Sequence, residues 1–187
     1  MEALFGGSFD PVHVGHLVAA EAAGEALEAR VRFLPARVQP LKRAAHGASP
    51  EQRAEMLDLA VAGNPRLAVE RIELTLPAPS YTVRTLQALA AREPGNRFTL
   101  LLGADAAGEL AAWYQVDALS ALADVVVFAR PGASPPRHPA IGRVLEVPAL
   151  DVSATMIRER VRQARSIRYL VPDAVREYIA TRGLYRE

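Results

Sequence analysis

The stretch GGSFDPVHVGH, Gly6 to His16, holds two of the chain's four histidines, His13 and His16, three residues apart. A short apolar segment precedes it and a helical pattern follows it. A glycine-rich turn between a strand and a helix start offers backbone N–H groups to an anion, and glycine lets a ligand approach closely. Ser8 adds a hydroxyl. Imidazoles at i and i+3 on the first turn of a helix project to roughly the same side. That combination suits phosphoryl oxygens. Metal binding would need a third ligand, and none is evident nearby. Simple capping of the turn by the histidines is a further alternative. The segment matches neither the P-loop nor the Gly-x-Gly-x-x-Gly fingerprint.

A second stretch has the same character. Ser153-Ala154-Thr155-Met156-Ile157-Arg158 reads as a helix start with a serine cap, a threonine hydroxyl and an arginine one turn on. These are the parts of an anion site, although an ordinary capped helix has them too. A third candidate is Lys42. The chain has 22 basic residues, and Lys42 is its single lysine. It lies in a basic, irregular loop spanning 36–49. A lone ammonium among arginines is either a compositional accident or a point charge placed for a phosphate.

Positioning these groups requires a scaffold, and the pattern of apolar runs supplies one. Strands are expected at Glu2 to Phe5, Val31 to Leu34, Leu67 to Leu74, Phe98 to Leu102, Val125 to Ala129 and Val144 to Val147. Between them helices are expected at Val14 to Arg30, Pro50 to Ala62 (capped by Ser49), Tyr81 to Arg92 (capped by Ser80), Ala106 to Ala112 and Leu119 to Ala123. Two more open at Ser153 and Asp173. Short apolar strands alternating with helices predict an α/β fold, a doubly wound parallel sheet with C-terminal helices. Ligands of such sheets sit at the carboxyl ends of the strands. The opening turn, Gly103-Ala104-Asp105 and Arg130-Pro131-Gly132 all follow strands.

The bulk numbers bound the reading. With 187 residues the chain suits one domain, 1–187, with a C-terminal helical part from about 150 to 187. A net charge of +1 gives no reason to expect nucleic acid or a membrane as partner. The absence of cysteine excludes disulfide and thiolate chemistry. No signal peptide and no membrane-length apolar run is present, so a soluble cytoplasmic protein is expected. Oligomeric state is left open, a homo-oligomer included.

His13-Val14-Gly15-His16 resembles the His-x-Gly-His signature of the nucleotidyltransferase superfamily of adenylyl- and cytidylyltransferases. Ser153 to Arg158 resembles its Ser-x-Thr-x-x-Arg motif. Pro79-Ser80-Tyr81-Thr82-Val83-Arg84-Thr85-Leu86 is similar to the PSYT-x-x-TL segment of the bacterial nicotinate-nucleotide adenylyltransferase family. So are Gly103-Ala104-Asp105, Trp113-Tyr114, Arg53-x-x-Met56-Leu57 and the segment from Arg168 to Tyr185. The resemblance covers nearly the whole chain. It implies a Rossmann-like nucleotidyltransferase fold and transfer of AMP from ATP to nicotinate mononucleotide, with release of pyrophosphate.

It also implies roles. Gly7, Ser8 and Phe9 would line the ATP and acceptor phosphates, with Gly103 and Asp105 at the adenosine. His13, His16, Lys42 and Arg158 would carry catalysis, and Ser153 and Thr155 would join Arg158 on the ATP phosphates. Ser8, Lys42, Tyr81, Thr82, Trp113 and Tyr114 would bind the pyridine nucleotide, with Trp113 stacking on its ring. Mg²⁺ would be held mainly by ATP phosphates and water, with no protein metal ligands. The family often has Pro-Pro-His-Lys where this chain has Gln39-Pro40-Leu41-Lys42. Leu41 therefore makes no polar contact there. Transfer to nicotinamide mononucleotide or phosphopantetheine, or a non-catalytic ATP or NAD sensor, are the alternatives.

Overall fold

The structure, a computed structural model, describes residues 2–41, 47–129, 137–148 and 150–186. Lys42 and Arg130-Pro131-Gly132 lie outside the described residues.

Strands β1 (Glu2–Gly7), β2 (Arg30–Pro35), β3 (Leu67–Val69), β4 (Phe98–Gly103), β5 (Ala123–Ala129) and β6 (Ile141–Glu146) form one sheet. Their order is β3-β2-β1-β4-β5-β6, and every pairing is parallel. The helices are α1 (Val14–Ala26), α2 (Pro50–Val61), α3 (Ile72–Thr75), α4 (Thr82–Arg92), α5 (Ala104–Gly108), α6 (Leu119–Leu122), α7 (Ala154–Arg162) and α8 (Asp173–Arg182). The doubly wound parallel sheet expected from the sequence is the fold observed.

Successive strand residues feed opposite faces, so each continuous apolar run serves two cores. Ala3, Phe5, Val31, Phe33, Leu101, Val126 and Phe128 join one cluster, together with Met56 and Leu57 of α2 and Ile179 of α8. Leu4, Phe98, Leu100, Leu102, Val125 and Val127 join the other, with Val83, Leu86 and Leu89 of α4. The C-terminal part shares the first cluster through Val175, Leu184 and Tyr185. Among the described residues no helix is long and apolar enough to cross a membrane.

The expected helix from Ala106 to Ala112 is α5 followed by a 3-10 turn at Leu110–Ala112, and the expected strand from Val144 to Val147 is β6, begun at Ile141 and ended at Glu146. Three further differences have a local cause. Helix α1 ends at Ala26 rather than Arg30, because Glu28 takes a left-handed φ of 49° and the Ala29 N–H turns back to the Gly24 carbonyl. Leu67 to Leu74 is not one strand. Beyond Val69 the Glu70 carboxylate accepts the Ile72 N–H, and α3 begins. Ser80 does not cap α4, whose N-cap is Tyr81. The Ser80 hydroxyl instead accepts the N–H groups of Arg37 (3.0 Å) and Val38 (3.4 Å), tying the 36–41 segment to the start of α4.

Reversal of strand order falls between β1 and β4, with β2 on one side and β5 on the other. A crevice at the carboxyl ends of strands at this switch point is where such sheets bind ligands. Phe5 pairs with Leu101, so Gly7 and Gly103, each two residues further, end adjacent strands at the same level.

Candidate active site

The opening turn is built by packing. Phe9 is only 2% exposed, and its ring meets Phe5, Phe33 and His16 edge-on. Residue 7 must be glycine here, since a Cβ would stand 2.9 Å from the Phe9 ring. The Phe9 side chain is therefore core, and only its backbone, at φ 50°, is left to face a ligand. Gly6, by contrast, is a strand residue with open space where a Cβ would sit.

His13 is the N-cap of α1. Its imidazole stacks on that of His16 at 3.6 Å between centroids and 24° between planes, so the two rings share one side as their spacing predicts. The His13 N–H donates to His16 Nδ1 at 3.3 Å. That bond makes Nδ1 the acceptor and leaves the His16 proton on Nε2. His13 Nδ1 is buried and has no hydrogen-bond partner.

Burial lowers the His13 imidazole to about 4. The unfolded chain protonates this group near 6.5, whereas the folded chain does so only near 4. Above 6.5 it leaves stability unaffected, and as pH falls through the window protons draw the chain toward the unfolded state. The loss reaches about 3 kcal/mol by pH 4. Thermal melts across pH 7 to 4 should show a His13→Gln variant losing less stability than the parent. Parallel pH profiles for the two would contradict this.

The second candidate anion element is the start of α7. Ser153 is its N-cap, and its hydroxyl accepts the Met156 N–H at 3.2 Å. Arg158 donates through Nη1 to the Asp10 carbonyl at 2.7 Å and through Nη2 to Thr155 Oγ1 at 3.2 Å. Residues 148 positions apart are thereby joined, and the start of α7 is fixed against the opening turn. Asp105 lies exposed in the first turn of α5, directly after Gly103.

Two of the pyridine-side candidates meet. Tyr81 and Tyr114 stack at 4.6 Å, with the Arg84 guanidinium 5.0 and 5.3 Å from their ring centres. Thr82 is the first residue of α4. Trp113 is half-buried against the second core cluster, so its indole is less free than a loop platform would be.

Two site-building residues carried no role in the sequence reading. Arg53 is fully buried, and its guanidinium binds three backbone carbonyls: Ser8 and Ala36 at 2.7 Å and Arg37 at 3.2 Å. It lies in line with Met56 and Leu57 on the apolar stripe of α2, and an arginine on such a stripe was the available signal. Asp10, 3% exposed, accepts the Gly47 and Ala48 N–H groups at 2.9 and 3.1 Å and the Tyr185 hydroxyl at 2.7 Å. Nothing local in the sequence marks that convergence. Among the described residues no group of three or more His, Cys, Asp or Glu is placed to hold a metal ion.

Imidazoles at one helix start and a Ser/Thr/Arg set at another, joined through Arg158 and the Asp10 carbonyl beside a 3-2-1-4-5-6 sheet, mark a candidate nucleotide site on a doubly wound α/β domain. The family model described as cytidylyltransferase-like matches residues 4–160, and the chain belongs to that family. A probable nicotinate-nucleotide adenylyltransferase of Thermus thermophilus is 45% identical over 184 residues, covering 98% of both chains. One of Geobacillus thermodenitrificans is 44% identical over 184 residues, covering 97% of this chain and 84% of its own. Among solved structures, the Plasmodium falciparum nicotinic acid mononucleotide adenylyltransferase complexed with NaAD superposes with a TM-score of 0.79. It covers 98% of this chain and 96% of its own at 15% identity, a shared fold.

Proposed function

We propose that the chain transfers AMP from ATP to nicotinate mononucleotide, forming nicotinate adenine dinucleotide and pyrophosphate. The observation that carries this reading is the junction of the two anion elements, Arg158 bound to the Asp10 carbonyl beside the stacked histidines. The names of the full-length relatives agree with it.

In this reading an oxygen of the acceptor's 5′-phosphate attacks the α-phosphorus of ATP in line. One P–O bond forms, and the bond from the α-phosphorus to the bridging oxygen breaks. Pyrophosphate leaves with that electron pair. The chain's task is positioning and charge neutralisation. His16 Nε2–H donates to the reacting phosphate, and His13 stands beside it. Arg158, Ser153 and Thr155 receive the triphosphate, with Lys42 as a further cation. Gly7, Ser8 and the Phe9 backbone line the turn, while Gly103 and Asp105 face the adenosine. Thr82, Tyr81, Trp113 and Tyr114 take the pyridine end, the acceptor's carboxylate lying at the N-terminus of α4.

The donors gathered here are imidazole, guanidinium and hydroxyl groups, not a carboxylate cluster. They fit Mg²⁺ that arrives on the ATP phosphates rather than in a protein cage. Such a metal would neutralise charge on the leaving pyrophosphate. We place the protein in the cytoplasm, acting on nucleotides and not on nucleic acid. We further read 1–187 as one domain, on the support of the core that the C-terminal helices share with the sheet.

Acceptor-dependent release of pyrophosphate from ATP tests the reaction, and its absence would overturn the reading. In the same assay nicotinate mononucleotide should exceed nicotinamide mononucleotide in kcat/KM by about tenfold or more. A carboxylate at a helix N-terminus gains about 1–2 kcal/mol that a neutral amide does not. Equal values would remove α4 as the acid-reading element.

A further inference from the structure

We propose that Tyr185, near the C-terminal end of the chain, is a positioning residue for ATP, acting through Asp10 on Arg158. The proposal rests on the adenylyl-transfer reading above for its substrate.

The Tyr185 hydroxyl donates to Asp10 Oδ1 at 2.7 Å, across 175 residues of sequence, in a buried setting. The same carboxylate holds the Gly47 and Ala48 N–H groups. The carbonyl of the same residue holds Arg158. Asp10 thus links four segments: the opening turn, the 47–48 stem, α7 and the C-terminus. Gly47 completes the junction. A Cβ there would lie 2.6 Å from Tyr185 Cδ1 and 3.5 Å from Arg158 Cδ, so the glycine backbone lies against the tyrosine ring and beside the arginine stem. The Tyr185 backbone adopts φ 63°, a conformation unusual for tyrosine and in keeping with a side chain held in place by its contacts. Burial and the adjacent Asp10 carboxylate raise the Tyr185 hydroxyl well above its ordinary range, so it stays a donor at any physiological pH.

The physical consequence concerns Arg158. A guanidinium reaching for a triphosphate is useful only if it is aimed before the ligand arrives. Arg158 is aimed by a carbonyl, and that carbonyl belongs to a residue whose side chain is clamped by Tyr185. Removing the hydroxyl takes the shorter of two bonds from Asp10 Oδ1, which keeps the Ala48 N–H, and loosens the peptide that orients Arg158. An effect routed this way falls on ATP and not on the acceptor.

Tyr185→Phe removes the hydroxyl alone. The expected result is a KM and an equilibrium Kd for ATP raised about five- to tenfold, with the acceptor KM within about twofold of the parent. In an Arg158→Ala background the same substitution should change the ATP constants by less than about twofold, since the group it acts through is gone. Gly47→Ala, which displaces the Tyr185 ring, should raise the ATP constants in the same direction. Tyr185→Phe with a lowered Tm but unaltered ATP constants would make the residue merely structural and overturn the proposal. So would equal losses in the parent and Arg158→Ala backgrounds. If the parent binds ATP but releases no pyrophosphate with any pyridine mononucleotide, the transfer reading fails, while the ATP Kd values still decide this one.

Discussion

His16→Ala is expected to lower kcat by about 10²–10³-fold, the usual loss when one preorganised donor is taken from developing charge in a transition state. The structure says which atom matters. Nδ1 is engaged by the His13 backbone N–H, so in the proposed reaction the donor to the phosphate is Nε2–H. The imidazole also has a structural part. It stacks on His13 and meets the Phe9 ring edge-on at 5.0 Å, so alanine costs about 1 kcal/mol of cap and packing as well. His16→Asn separates the two parts. Its side-chain oxygen can still accept the His13 N–H, yet nothing remains at the position of Nε2. Steady-state rates beside thermal melts check this. The asparagine variant should melt close to the parent and turn over as poorly as alanine. An asparagine variant with near-parental kcat would remove His16 from the chemistry and leave it as a helix cap.

The legible part of this site was local. Two histidines at i and i+3 before a helix had to share a side, and they do, at 3.6 Å. Ser153 at the start of α7 had to cap, and it does. The sheet was legible because runs such as Phe98 to Leu102 are apolar at almost every position, which a strand buried on both faces requires. What the sequence hid follows from physics of another range. Leu67 to Leu74 has a strand's alternation, but Glu70 is drawn into ion pairs with Arg32 and Arg92 and its carboxylate starts a helix instead. Ser80 has a cap residue's identity, but a competing pair of N–H groups from the 37–38 backbone takes its hydroxyl. Asp10 and Tyr185 meet only because the whole fold brings them together, and no window of sequence contains both. The groups proposed to touch a ligand were therefore easier to read than the groups that hold them in place.

Arg53 shows the largest such difference, and its replacement should cost the most stability. Arg53→Met keeps volume and apolar stem but deletes every donor. Swapping a buried charge for a hydrophobic residue is often harmless, because the cost of desolvating the ion disappears with it. Here the opposite should win. The partners are not a carboxylate that could be removed with it but the backbone carbonyls of Ser8, Ala36 and Arg37, buried at Ala36 and part-buried at the other two, which cannot be mutated away and would lose that donor. At about 1–2 kcal/mol for each, the loss comes to about 3–6 kcal/mol, or a Tm lower by about 10–20 °C for a chain of this size. The Asp10 carboxylate near the guanidinium loses a compensating charge as well. Arg53→Lys should fall between, since one ammonium cannot span carbonyls on both the Ser8 turn and the 36–37 stem as the guanidinium fork does. Denaturant melts of the two variants decide the matter. A methionine variant within about 1 kcal/mol of the parent would mean that the turn holds its shape by the Phe9 packing alone, and that Arg53 is dispensable to the backbone it underlies.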